Sequence, residues 1–134
     1  DWPAFSTAGG TAVAHVDDIA AGIVAALHRG RPGERYILGG DNLSIREIVD
    51  LTLELGGKSG KTVVPLPTAF TLWLVNALAR VGLPTPVHPD LLAHGVLYWF
   101  VDDTKARTEL GYSPRGARET VAAVVGWLQE AGHV

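Results

Sequence analysis

The chain has 134 residues, 47% of them hydrophobic and 19% charged, with a formal net charge of −3 at pH 7. Because it carries no basic patch that would neutralise phosphates, nucleic acid is not expected as a partner. The sequence contains no cysteine, which excludes disulfides and thiolate metal sites and is typical of a cytoplasmic protein, and its length predicts one domain over residues 1–134.

The first elements are predicted in the N-terminal third of the chain. The short apolar run 11–16 favours a strand, and the carboxylates of Asp17 and Asp18 can cap a helix that begins at Asp18 or just after. This helix ends at Gly30, and residues 36–38 predict a short, fully buried strand. The apolar stripe of the helix consists of Ile19, Ile23, Val24 and Leu27.

The second helix has the clearest local signal in the sequence. Ser44 followed by Glu47 is a capping box, in which each residue satisfies a backbone N–H of the other. Gly56 and Gly57 end the helix, and strand, helix, strand, helix at this spacing predicts α/β organisation. The predicted buried face of the helix consists of Ile45, Ile48, Val49, Thr52 and Leu55.

The letters GGKSGKT after this helix invite a phosphate-loop interpretation. The pattern G-x-x-x-x-G-K-[ST] requires glycine where this chain has Leu55, and it requires a loop that leaves a strand and opens a helix. Here a helix precedes the segment, and residues 61–66 predict a strand after it. A glycine helix stop followed by a polar turn is therefore the better interpretation.

The next helix, residues 67–81, has almost no polar surface. Pro67 can open it, and no charged residue lies between Leu66 and Ala79. The helix is shorter than the about 20 apolar residues that a membrane span needs, so no membrane contact is expected. It must pack against something, and both plain core packing and a lid or subunit contact remain open.

The C-terminal third predicts two short helices and a longer one. Asp90 can cap a short helix that runs through Tyr98, and residues 99–101 favour a short strand. Asp102 can cap the following helix, which stops at Gly111. The last helix, about residues 117–131, has a predicted buried face of Val121, Val124, Val125 and Leu128.

Two parts of the sequence resemble a known family. The first is AHVDDIAAGIVAALHRGRPGERYILGGDNLSIREIVDL, and the second combines VDDTKA at 101–106 with ELGYSP at 109–114. In this order, and followed by a helix carrying Trp127 and Leu128, they resemble the C-terminal half of the extended short-chain dehydrogenase/reductase family, the NAD-dependent epimerase/dehydratase group. The resemblance is closest to its dihydroflavonol-reductase-like and hopanoid-associated sugar epimerase branch.

The resemblance implies an α/β fold, the C-terminal substrate-binding portion of an extended Rossmann-type reductase, with short strands and about five or six helices. Members of the family carry a glycine-rich dinucleotide loop and a catalytic Tyr-x-x-x-Lys pair. Neither is present, since Gly40, Asp102 and Gly116 stand four residues after the three tyrosines. We expect no catalytic or cofactor-binding residues in this chain and no activity of the chain alone, whereas the parent enzyme would use NAD or NADP.

Four residues are predicted to contact a small-molecule substrate: His15, Asn42, Tyr98 and Trp99. Asn42 follows a predicted strand at the edge where open α/β sheets bind ligands. Tyr98 and Trp99 can line a pocket, although core packing is the alternative for such aromatic runs. His15 can act as a base beside an acidic pair or simply accompany a helix cap, and the spacing of the five histidines predicts no metal site.

Two functions agree with these patterns. One is the substrate-binding part of an NAD(P)-dependent oxidoreductase or epimerase acting on a carbonyl or sugar-type substrate, and the absence of methionine predicts a piece of a longer chain. The other is a stand-alone, non-catalytic module that binds a ligand or partner. In the resembled family the strand at 34–38 lies in the sheet of the cofactor domain, so its bare edges predict a homodimer or element swap through this strand or helix 67–81.

Overall fold

The computed structural model describes residues 4–58, 60–82 and 95–132. Its internal contacts form two compact units. Unit 1 comprises residues 1–11 and 43–99, and unit 2 comprises residues 12–42 and 100–134. The length predicts a single domain, in which the two units would unfold together. This stays a prediction.

The described residues form five strands and five helices. The strands are β1 (Ala4–Ser6), β2 (Gly10–Val13), β3 (Asp41–Ser44), β4 (Val63–Pro65) and β5 (Tyr98–Trp99). The helices are α1 (Val16–Arg29), α2 (Ile45–Leu55), α3 (Thr68–Arg80), α4 (Thr104–Leu110) and α5 (Ala117–Glu130). The predicted α/β class with short strands is confirmed. None of the helices in the described part of the chain has the length and apolar run that crossing a bilayer requires.

Unit 1 is built on a parallel pair of strands. β1 lies beside β4, with Ala4 opposite Val63 and Ser6 opposite Pro65. Helix α2 packs against both strands, and Ser6 and Val63 are buried. In helix α3 of the same unit, Thr71 and Val75 are buried.

A second sheet has the strand order β3-β2-β5. β5 runs parallel to β2, with Gly10 opposite Tyr98, and the Gly10 N–H donates to the Leu97 carbonyl at 3.1 Å. The turn before β2 requires glycine, because Gly9 has a φ of +116° and a Cβ there would collide with the Gly95 carbonyl oxygen. Only glycine at position 9 therefore lets the backbone pass this close to Gly95.

Unit 2 has the more deeply buried core. Ala106 and Leu110 of α4 are completely buried, and Tyr112 is almost so. α1 approaches this core closely at Gly22, where a Cβ would stand 2.8 Å from the Leu38 side chain. The Tyr112 hydroxyl donates to the Gly39 carbonyl at 2.6 Å. The remaining apolar side chains packed against this core are Ile19, Ala25, Ala26 and Tyr36.

Local capping signals are confirmed. The Ser44 hydroxyl accepts the Glu47 N–H at 3.2 Å, and the Glu47 carboxylate accepts the Ser44 N–H at 2.8 Å, which completes the predicted capping box. The Asp102 carboxylate accepts the Thr104 N–H at 2.9 Å, and Gly111 ends α4 with a φ of +69°. Residues close in sequence therefore determine these helix ends.

Two predicted boundaries are wrong. Helix α1 begins at Val16, before Asp18, because the His15 side chain caps it by accepting the Asp17 N–H. Residues 36–38 form no strand; Tyr36 and Leu38 pack against the core of unit 2, and no strand lies beside them among the described residues. The strand in this part of the chain is β3, three residues later.

Several side chains predicted to lie on apolar or buried faces are exposed. Ile23, Val24 and Leu27 lie on the outer side of α1, because the helix packs through its smaller residues at and beside Gly22. Val124 of α5 is also exposed, whereas Val121 and Val125 are buried as predicted.

Of the helix predicted from Asp90 through Tyr98, residues 90–94 lie outside the described residues. Tyr98 is in β5, a strand and not a helix, and β5 ends at Trp99, whereas the predicted strand ran to residue 101. β5 has only two residues, which pair with Gly10 and Thr11 of β2.

Candidate functional site

His15 is a helix cap in the structure. Its Nδ1 accepts the Asp17 N–H at 3.2 Å and lies 3.5 Å from the Asp17 carboxylate. The ring also lines an apolar groove of about 300 Å³ formed with residues of α1 and α5. The groove is lined by His15, Val16, Ala123, Val124 and Trp127.

Asp18 is paired with Arg115. Its carboxylate receives two hydrogen bonds from the Arg115 guanidinium and one from the Arg115 N–H, all at 2.9 Å. The guanidinium hydrogen bond holds the pKa of Asp18 below its ordinary value. Among the described residues no group of three potential metal ligands occurs. Asp18 joins α1 to the loop before α5.

Asn42 binds the backbone of Val101 with its side chain. The amide nitrogen donates to the Val101 carbonyl at 2.9 Å, and the amide oxygen accepts the Val101 N–H at 3.1 Å. The Asn42 amide thus donates one hydrogen bond to the Val101 backbone and accepts one from it, as the backbone of a neighbouring strand does. Asn42 is exposed, so a ligand could still contact it, but its first role in unit 2 is structural.

Tyr98 and Trp99 are adjacent in β5 of unit 1. Their side chains are 61% and 54% exposed, so core packing is not what they provide in that unit. The four predicted contacts are thus divided, with His15 and Asn42 in unit 2 and the two aromatics in unit 1. Their role in binding a substrate stays a prediction.

A polar cluster that was not predicted joins α4 to the segment after α1. Glu109 accepts hydrogen bonds from Arg31 at 2.6 Å and from the Tyr36 hydroxyl at 2.8 Å. The Tyr36 hydroxyl bond, together with Arg31, lowers the pKa of Glu109. Lys105 lies 4.8 Å above the Tyr36 ring and donates to Glu34 at 2.6 Å, which lowers the pKa of Glu34.

The sequence signal that could have located this cluster is the pair of segments VDDTKA at 101–106 and ELGYSP at 109–114, called the closing motif below. Lys105 and Glu109 form the ion pairs, and Ala106, Leu110 and Tyr112 fill the core of unit 2. Each ion pair joins residues more than 70 positions apart, so no local spacing could reveal it. The motif therefore contributes to the core of unit 2, and the backbone of its first residue, Val101, is bonded to the predicted site residue Asn42.

A second groove, about 270 Å³, lies between α1 and the end of α4. Arg29 at its wall donates to the Leu110 carbonyl at 2.8 Å. Burial raises the pKa of Tyr112, also at the wall, so its phenol stays protonated and donates to Gly39. Among the hydrogen bonds of the described residues, none joins a nucleophile to a base in this groove, since Asp18 is bonded to Arg115 and Tyr112 to Gly39.

The chain is similar to oxidoreductases and epimerases. A comparison with protein-family models gives no match. Among curated proteins it is 33% identical, over 89% of its length, to a Synechocystis sp. protein named "Putative dihydroflavonol 4-reductase", of which it covers 37%. The sequence similarity thus spans nearly all of this chain and a little over a third of that relative.

Two solved structures show the same fold. A nucleoside-diphosphate-sugar epimerase from Pseudomonas aeruginosa matches 96% of this chain and 38% of its own, with a TM-score of 0.68 and 29% identity. UDP-glucuronic acid 4-epimerase from Bacillus cereus, solved in complex with NAD, matches 96% of this chain and 34% of its own, with a TM-score of 0.59 and 20% identity, and supports the fold alone. The chain spans less than two fifths of the length of these relatives. The resemblance predicted from the sequence is confirmed to this extent: nearly the whole chain is similar to a part of a protein named as a reductase and of a nucleoside-diphosphate-sugar epimerase.

Proposed function

We propose that this chain is the substrate-binding part of an NAD(P)-dependent oxidoreductase or epimerase that acts on a carbonyl or sugar-type substrate. The observation that carries the proposal is the match of nearly the whole chain to about two fifths of a nucleoside-diphosphate-sugar epimerase. The sequence adds that the glycine-rich loop and the Tyr-x-x-x-Lys pair are absent. The chain therefore contributes substrate contacts, and hydride transfer belongs to groups it does not contain.

The geometry of both units supports binding without catalysis. Neither of the two grooves described for unit 2 shows a hydrogen bond between a base and a nucleophile among the described residues. Unit 1 offers exposed aromatic rings on β5, a surface on which a sugar or a base can stack. The candidate substrate contacts remain His15, Asn42, Tyr98 and Trp99.

A chimera tests this proposal. The matched segment of the Pseudomonas aeruginosa epimerase would be replaced by this chain, and binding of NAD and of UDP-sugars would be measured by calorimetry. We expect NAD binding to equal that of the unaltered epimerase, because this chain supplies no dinucleotide loop, and we expect UDP-sugar binding to be retained. A chimera that binds NAD normally and no UDP-sugar would overturn the proposal.

The second candidate function is a non-catalytic module that binds a protein partner through α3. The observation in its favour is the exposure of Phe70 and Trp73, whose rings lie 6.2 Å apart on one side of the helix. Exchanging Trp73 for lysine should then abolish partner binding and leave ligand titrations unchanged. A change in UDP-sugar binding in the Trp73→Lys variant would instead place α3 at the substrate site.

A further inference from the structure

We draw no further inference here: the strongest candidate, the apolar groove of about 300 Å³ that His15 and Val16 form with Ala123, Val124 and Trp127 in unit 2, carries none, because nothing in the structure shows what covers it.

Discussion

Unit 1 and unit 2 are stabilised by different kinds of contact. In unit 1 the parallel ladder of β1 and β4 and the Ser44 capping box rely on the backbone and on near neighbours, and the ion pair of Arg46 with Asp50 spans one helical turn. In unit 2 the side chains of Asp18 and Arg115 meet across 97 residues. Unit 2 should therefore respond more strongly to single side-chain changes than unit 1.

The largest expected effect is that of Leu110→Ala. Leu110 is completely buried in unit 2, and removing its methyl groups from such a core costs about 2–5 kcal/mol of unfolding free energy. Urea denaturation measures this loss. The matched control is Leu97→Ala in unit 1, at a half-exposed position, where a change below about 0.5 kcal/mol is expected. Equal losses in the two variants would show that the units do not differ in this way.

The next effect is that of Tyr112→Phe. The variant keeps the ring and removes the hydroxyl that donates to the Gly39 carbonyl inside unit 2. Leaving that buried acceptor without a partner should cost about 1–3 kcal/mol. Thermal unfolding would detect the loss as a lower Tm. An unchanged Tm would mean that water reaches the Gly39 carbonyl.

A smaller effect is expected for Asn42→Asp. The aspartate can still accept the Val101 N–H but cannot donate to the Val101 carbonyl. Because the site is exposed to water, the loss should be about 1 kcal/mol. Urea denaturation measures it, and a parallel UDP-sugar titration separates this structural role from the predicted substrate contact. Unchanged stability with lost ligand binding would assign Asn42 to the substrate alone.

The smallest expected effect on stability at neutral pH comes from carboxylates. In acid, the same carboxylates should distinguish the two units. Hydrogen bonds from Arg115, Lys105 and Tyr36 lower the pKa values of Asp18, Glu34 and Glu109 in unit 2. Groups with a lowered folded pKa stabilise the fold fully above their ordinary values, 3.8 for Asp and 4.5 for Glu. That stabilisation is lost as the pH falls below those values through the folded pKa.

Hydrogen exchange followed by mass spectrometry between pH 6 and 2.5 would report on each unit separately. After correction for the intrinsic exchange rate, protection should fall earlier in unit 2, whereas in unit 1 the comparable carboxylate is Glu47 of the capping box. Asp18→Asn should flatten the acid response of unit 2 and leave that of unit 1 unchanged. Simultaneous loss in both units of the unaltered chain would contradict the comparison.

The elements that the sequence predicts correctly depend on neighbouring residues. The capping box at Ser44 and the helix stop at Gly111 follow from positions within one turn of each other. The cap of α5 could not be predicted in this way, because its N-cap, Gly116, has no side chain. The Asp41 carboxylate accepts the Ala117 N–H at 2.7 Å from 76 residues away.

The candidate site shows the same limit. Sequence patterns selected His15 and Asn42, and the structure assigns each a bond to the backbone: His15 to the Asp17 N–H, two residues away, and Asn42 to Val101, 59 residues away. A pattern of residue types cannot distinguish a side chain that binds its own backbone from one that awaits a ligand, because both are polar groups at the ends of elements. The strand predicted at 36–38 is wrong for a related reason, since a short apolar run indicates burial but does not specify a neighbouring strand.

The central claim is that this chain binds the substrate and not the cofactor. Isothermal titration of the chain with NAD, with NADP and with a panel of UDP-sugars tests it most directly. We predict no binding heat with either dinucleotide and saturable heat with at least one UDP-sugar. Micromolar binding of NAD or NADP would show a dinucleotide site that does not need the glycine-rich loop, and it would contradict the account.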